Sequence, residues 1–148
     1  MERRTTRPAS RSVRSTAFTF LYVSCWGTGE FCQYDVTDPF APRLTGSVRL
    51  GGLVARASHP RAGALNGGPQ MVEVSRDGRR VYLTNSLYAS WDAQFYPEGI
   101  RGWVAKLDAR PEGGMAIDPR FFIQFEGERP HQVRLEGGDA SSDSYCFP

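Results

Sequence analysis

Two histidines, three cysteines and a late pair of aspartates are the side chains of this 148-residue chain best suited to chemistry. His131 follows Pro130, and His59 lies in Ser58-His59-Pro60. Imidazole suits late first-row metals, yet one histidine alone holds such an ion weakly, so any site needs further donors. His131 is the first metal-ligand candidate and His59 the weaker one, because a histidine before proline in a loop is commonly just solvent-exposed. Asp139 and Asp143, in Gly-Gly-Asp-Ala-Ser-Ser-Asp, are placed to orient a metal-bound histidine through its other ring nitrogen. Equally, they are the residues of a turn in which Asp and Ser side chains bond nearby backbone. Cys25 and Cys32 flank a Gly-Thr-Gly turn, so adjacent strands would bring them near each other, while Cys146 is close to the end. The spacing is not that of a zinc site, and it favours packing as small apolar groups. Tyr88, Trp91, Phe95 and Tyr96 either wall a small apolar pocket or fill a gap between sheets. Gly67-Gly68 lacks the Lys-Ser/Thr pair and following helix of a phosphate loop.

The elements that must position these groups repeat. Val81-Tyr82-Leu83-Thr84 is echoed by Leu21-Tyr22-Val23-Ser24, and Pro69-Gln70-Met71-Val72-Glu73-Val74 by Pro130-His131-Gln132-Val133-Arg134-Leu135. The period is roughly 60 residues, and short strands with Gly/Pro turns at such a period are the mark of β-propeller blades. Three strands are predicted upstream, Phe20 to Cys25, Glu30 to Val36 and Arg43 to Leu50, followed by an unpatterned loop from Gly51 to Gly68. Gln70 to Ser75 and Arg80 to Thr84 form a hairpin through Asp77-Gly78, whose positive backbone angles suit a tight turn. After an irregular insert, Asn85 to Gly99, come Gly102 to Asp108 and Phe121 to Phe125, both with the two-residue period of a sheet packed on both faces. The fold class is therefore all-β, a propeller fragment with one complete four-stranded blade between two partial ones. His131 to Leu135 is predicted to be an innermost strand, with a short close at Ser144 to Phe147. That places His131 where propellers keep ligands, with Gln70 as its counterpart in the complete blade.

Charge narrows the partners. The net charge is +2, but five arginines and one glutamate in residues 1–17 supply more than all of it, so the body is slightly acidic. That excludes the basic surface needed to neutralise a run of phosphates, and nucleic acid with it. The Arg-rich head, 1–17, is read as disordered, and 18–148 as part of the propeller domain. No apolar run approaches the ~20 residues of a membrane-spanning helix. Three cysteines are too few for a disulfide framework, which points to reducing surroundings and the cytoplasm.

Several long motifs resemble the selenium-binding protein family, also called methanethiol oxidase. They are Tyr22-Val23-Ser24-Cys25-Trp26, Gln33-Tyr34-Asp35-Val36-Thr37-Asp38-Pro39, Pro42-Arg43-Leu44-Thr45-Gly46 and Gly67-Gly68-Pro69-Gln70-Met71, then Asn85-Ser86-Leu87-Tyr88-Ala89-Ser90-Trp91-Asp92, Gln94-Phe95-Tyr96-Pro97 and Gly137-Gly138-Asp139-Ala140-Ser141-Ser142-Asp143. The match runs from about Phe20 to the end and covers roughly the last third of a family member. The resemblance implies a seven-bladed parent holding copper, which oxidises methanethiol with O2 and water to formaldehyde, hydrogen sulfide and hydrogen peroxide. It implies His131 as a ligand, with the remaining ligands on blades missing from this chain, and a fragment inactive alone. The family's selenium-associated cysteine lies in an N-terminal part outside this chain, so Cys25, Cys32 and Cys146 do not inherit that role. Exported relatives make the periplasm the alternative compartment for the parent. The rival readings are a non-catalytic propeller that binds selenium or proteins, and a calcium-dependent lactonase-type hydrolase with aspartates as primary ligands.

Overall fold

Alternating side chains and punctuating turns build two antiparallel sheets in the computed structural model, which describes residues 20–85 and 88–140. The first is a meander of β1 (Phe20–Cys25), β2 (Glu30–Asp35) and β3 (Arg43–Arg49), in that order. Its turns use the residue types the sequence offers. Gly29 takes φ 75° and its amide donates to the Cys25 carbonyl at 3.0 Å. At the next turn the Asp35 carboxylate accepts from the Thr37 amide at 2.9 Å, and Asp38 from the Phe40 amide at 3.0 Å.

The segment predicted as an unpatterned loop contains a small hairpin, β4 (Ser58–His59) with β5 (Gly63–Ala64). Strands of two residues leave no periodicity to read, and the turn is held locally by the Ala62 amide donating to the His59 carbonyl at 3.0 Å.

The second sheet has the order β6 (Met71–Val74), β7 (Arg80–Thr84), β8 (Gly102–Ala109), β9 (Met115–Phe125), all antiparallel. It is the predicted four-stranded unit, with three differences. In the β6–β7 connection only Gly78 takes a positive φ, 69°, so this is a longer glycine-closed turn rather than a two-residue one. β9 starts at Met115 rather than Phe121, because Pro119, a poor strand residue, sits on the edge strand, where no ladder partner needs its missing N–H. The insert contains a helix, α1 (Ala89–Phe95).

His131 to Leu135 forms no strand and is followed by a single 3-10 turn, Glu136–Gly138. Gln132 and Val133 lie near β6 without joining its ladder, and Ala140 bridges back to Ser75. The predicted close at Ser144 to Phe147 lies outside the described residues, as do the 1–17 head, Asp143 and Cys146.

The two sheets stack face to face. Phe31 and Leu50 join Val81, Leu83, Trp103, Ala105 and Leu107 in one buried core, with Tyr22 and Val48 packed against it. Gln33, fully buried, ties the sheets: its Oε1 accepts from the Gly114 amide at 2.7 Å and from Thr45 Oγ1 at 2.9 Å, while its Nε2 donates to the Tyr22 hydroxyl at 3.0 Å. Near the inner strands Ser24 Oγ donates to the Pro69 carbonyl, and Gly68 packs so closely on the Trp26 backbone that a Cβ there has no room. The remaining faces point away from the core and expose Leu21 on the first sheet and Ile123 on the second.

Candidate functional site

One end of the second sheet gathers the irregular chain. Met71 pairs with Thr84 and Gly102 with Phe125, so β6 and β8 start there and β7 and β9 finish there. Residues 62–66, residues 98–101 and the return after β9 belong to this end. Beyond β9, Pro130 occupies the space a side chain on Gly102 would take. The His131 carbonyl then accepts from Thr84 Oγ1 at 3.4 Å, and the Gln70 amide donates to the Thr84 carbonyl at 2.8 Å. His131 and Gln70 thus both meet Thr84, the last residue of β7. His131 is exposed, whereas Gln70 Oε1 is buried without a hydrogen-bond partner among the described residues.

His59 lies elsewhere and is not the solvent-exposed loop residue its proline neighbour suggested. It is 1% exposed, stacked on Phe122 at 4.6 Å between ring centroids, and its Nδ1 accepts from the Arg61 amide at 3.1 Å. Nε2 faces the Asp118 backbone carbonyl, outside hydrogen-bonding geometry. Burial pushes the His59 pKa below its ordinary 6.5, more than the Asp118 carbonyl raises it. A base whose folded-state pKa is depressed adds stability that is complete above the unfolded value and is lost as pH falls from there through the folded value. The urea midpoint should therefore drop from pH 7.5 to pH 5.5, and His59→Phe should flatten that drop; an equally steep drop in the variant would contradict this.

Asp139 is not beside a histidine. Its carboxylate is ion-paired with Arg80 and its carbonyl accepts from the Arg76 amide at 3.1 Å, so its contacts are long-range ones to the β6–β7 turn. Among the described residues no group of three or more His, Cys, Asp or Glu converges to hold a metal. His131 offers one imidazole, so the described residues do not by themselves fit a copper ion.

The aromatic insert divides. Tyr96 is 1% exposed and lies beneath Arg56, whose guanidinium is 5.8 Å from the ring centroid, and Phe95 meets Trp26 edge-on at 5.6 Å. Of the four only Tyr96 is buried, whereas Tyr88, Trp91 and Phe95 are exposed. A cavity of about 550 Å³ does open at this end, but Leu65, Asn66, Glu98, Trp103 and Gln124 line it rather than the insert aromatics. Asn85, which the residue types did not single out, organises its floor. Its Oδ1 accepts from the Trp103 amide at 2.8 Å, and its Nδ2 donates to the carbonyls of Arg101 at 2.8 Å and Asn66 at 3.1 Å. Another missed group is Asp118, 3% exposed, 2.7 Å from Lys106 Nζ. The Lys106 ammonium holds the Asp118 carboxyl well below the usual carboxylate range.

Comparison with known proteins fits this description. Residues 14–146 match the family model described as 56kDa selenium binding protein (SBP56). The chain is 39% identical over 150 aligned positions to a methanethiol oxidase of Homo sapiens, covering 84% of this chain and 32% of that protein. It is 39% identical to selenium-binding protein 3 of Arabidopsis thaliana, with 84% and 31% covered. The crystal structure titled hypothetical selenium-binding protein from Sulfolobus tokodaii superposes with a TM-score of 0.81 at 63% identity, over 88% of this chain and 29% of that one. The chain belongs to the selenium-binding protein family, and it spans about a third of the length of the curated relatives it matches. Among the described residues no helix is long and apolar enough to cross a membrane.

Proposed function

We propose that this chain is an arc of a propeller whose closed form is a copper-dependent methanethiol oxidase, and that it supplies one metal ligand, His131. The observation that carries this reading is the match of residues 14–146, which include His131 and Gln70, to the selenium binding protein family model, together with the 39% identity to the human methanethiol oxidase. The stacking supports the arc. Val81 and Leu83 face the first sheet, and their echoes in β1, Leu21 and Val23, face the same way, toward where a preceding sheet would sit. Repetition in one direction builds a ring rather than a closed pair. In the overall conversion one methanethiol, one O2 and one water give one formaldehyde, one hydrogen sulfide and one hydrogen peroxide, and copper would supply the site at which O2 accepts electrons.

In the human relative, alanine at the position aligned with His131 should abolish methanethiol-dependent O2 uptake together with bound copper. Unchanged uptake would contradict the assignment. Calcium instead of copper in the purified relative would favour the lactonase reading, and no metal the non-catalytic one.

A further inference from the structure

Cys25 and Cys32 remain unused by this reading, and the register of β1 with β2 brings them together. Val23 pairs with Cys32 and Cys25 with Glu30, so both thiols stand on the sheet face turned away from the core, as diagonal neighbours on adjacent strands. Both are free; Cys32 is buried and Cys25 half-buried. Diagonal residues sit about 7–8 Å apart at Cα. A disulfide tolerates no more than about 6.8 Å, so a direct bond is disfavoured. Two metal–thiolate bonds of roughly 2.3 Å each span the extra distance.

The neighbours restrict the coordination number. The carboxylate of Glu30 is taken by Ser47 Oγ at 2.7 Å and approached by Arg49 at 3.7 Å, and no third donor converges among the described residues. Zinc, which takes four ligands, is poorly served, whereas soft ions that accept two thiolates are well served.

We propose that Cys25 and Cys32 form a two-thiolate site for a single soft, thiophilic d10 cation, for which Hg(II) is the probe. Binding is ligand exchange without redox change: one mercuric ion and two thiols give a bis-thiolate and release two protons. Burial pushes the Cys32 thiol up, an effect that the neighbouring Glu30 and Cys25 reinforce. Apparent affinity therefore rises with pH.

The experiment uses the full chain carrying Cys146→Ser, titrated with mercuric chloride while residual thiols are counted with a chromogenic disulfide. One equivalent should remove both thiols in a monomer, and Cys32→Ala or Cys25→Ala should weaken binding at least about 100-fold, the loss expected when two linked contacts become one. Two ions per chain, one ion bridging two chains, or unchanged affinity in the single variants would overturn the proposal. Should Cys32→Ala fail to fold, the half-buried Cys25→Ala carries the same test.

Discussion

Trp103→Ala is expected to destabilise the chain by about 3–5 kcal/mol, the range for deleting a buried aromatic side chain. The indole is 2% exposed within the core shared by both sheets and stacks on Phe122 at 6.4 Å between centroids. Its Nε1 donates to the Asn66 carbonyl at 3.0 Å, so the deletion also leaves that acceptor, already shared with Asn85, with one partner fewer. Domains of this size are stable by only about 5–15 kcal/mol, so the variant should be partly unfolded near physiological temperature. Trp103→Phe keeps most of the packing and loses the hydrogen bond, and should cost nearer 1 kcal/mol for the bond plus the smaller volume. Urea titrations at neutral pH check both, and equal losses in the two variants would show that packing is not the main contribution.

Gln33→Leu should cost about 3 kcal/mol, although leucine is the more apolar residue. The change removes the acceptor of the Gly114 amide and the donor to the Tyr22 hydroxyl, while Thr45 Oγ1 keeps its bond to the Gln33 backbone carbonyl at 3.0 Å, and each group left unsatisfied costs about 1–3 kcal/mol before relaxation. Because Gly114 closes the turn into β9 while Gln33 lies on β2, the loss loosens one sheet against the other. Thr45→Val removes one partner of Gln33 and should cost about 1 kcal/mol. A stabilised Gln33→Leu protein would mean that the contact between the sheets depends on apolar burial alone.

The strands are legible wherever an alternating apolar run ends in a Gly, Pro or Asp turn, as in β1, β2, β7 and β8. β9 reads too short from its residues because Asp118, Pro119 and Arg120 look like a break, while in the fold the strand bulges there, the register shifting from Leu107–Ile117 to Ala105–Phe122, and Asp118 ion-pairs with Lys106. His131 to Leu135 copies the pattern of β6, but a pattern states which residues suit a strand and not whether they join a ladder. The burial of His59 is not readable locally because it depends on Phe122, far along the chain. Gln33 does carry a signal: it shares its face with Phe31, and a glutamine in phase with a core residue must find buried partners. The site is legible only as residue types. Which imidazole stands at the end that gathers the loops follows from strand order, which separates His131 from Asp139 and His59.

The proposal makes His131 one ligand of an active centre whose other ligands lie outside this chain. The direct measurement is methanethiol-dependent O2 uptake by the purified monomeric chain supplied with copper, beside the human relative. The account predicts uptake by the relative and none above buffer by the chain. Sustained uptake that co-elutes with the monomer and disappears in His131→Ala would contradict it, because the site would then be complete within this chain.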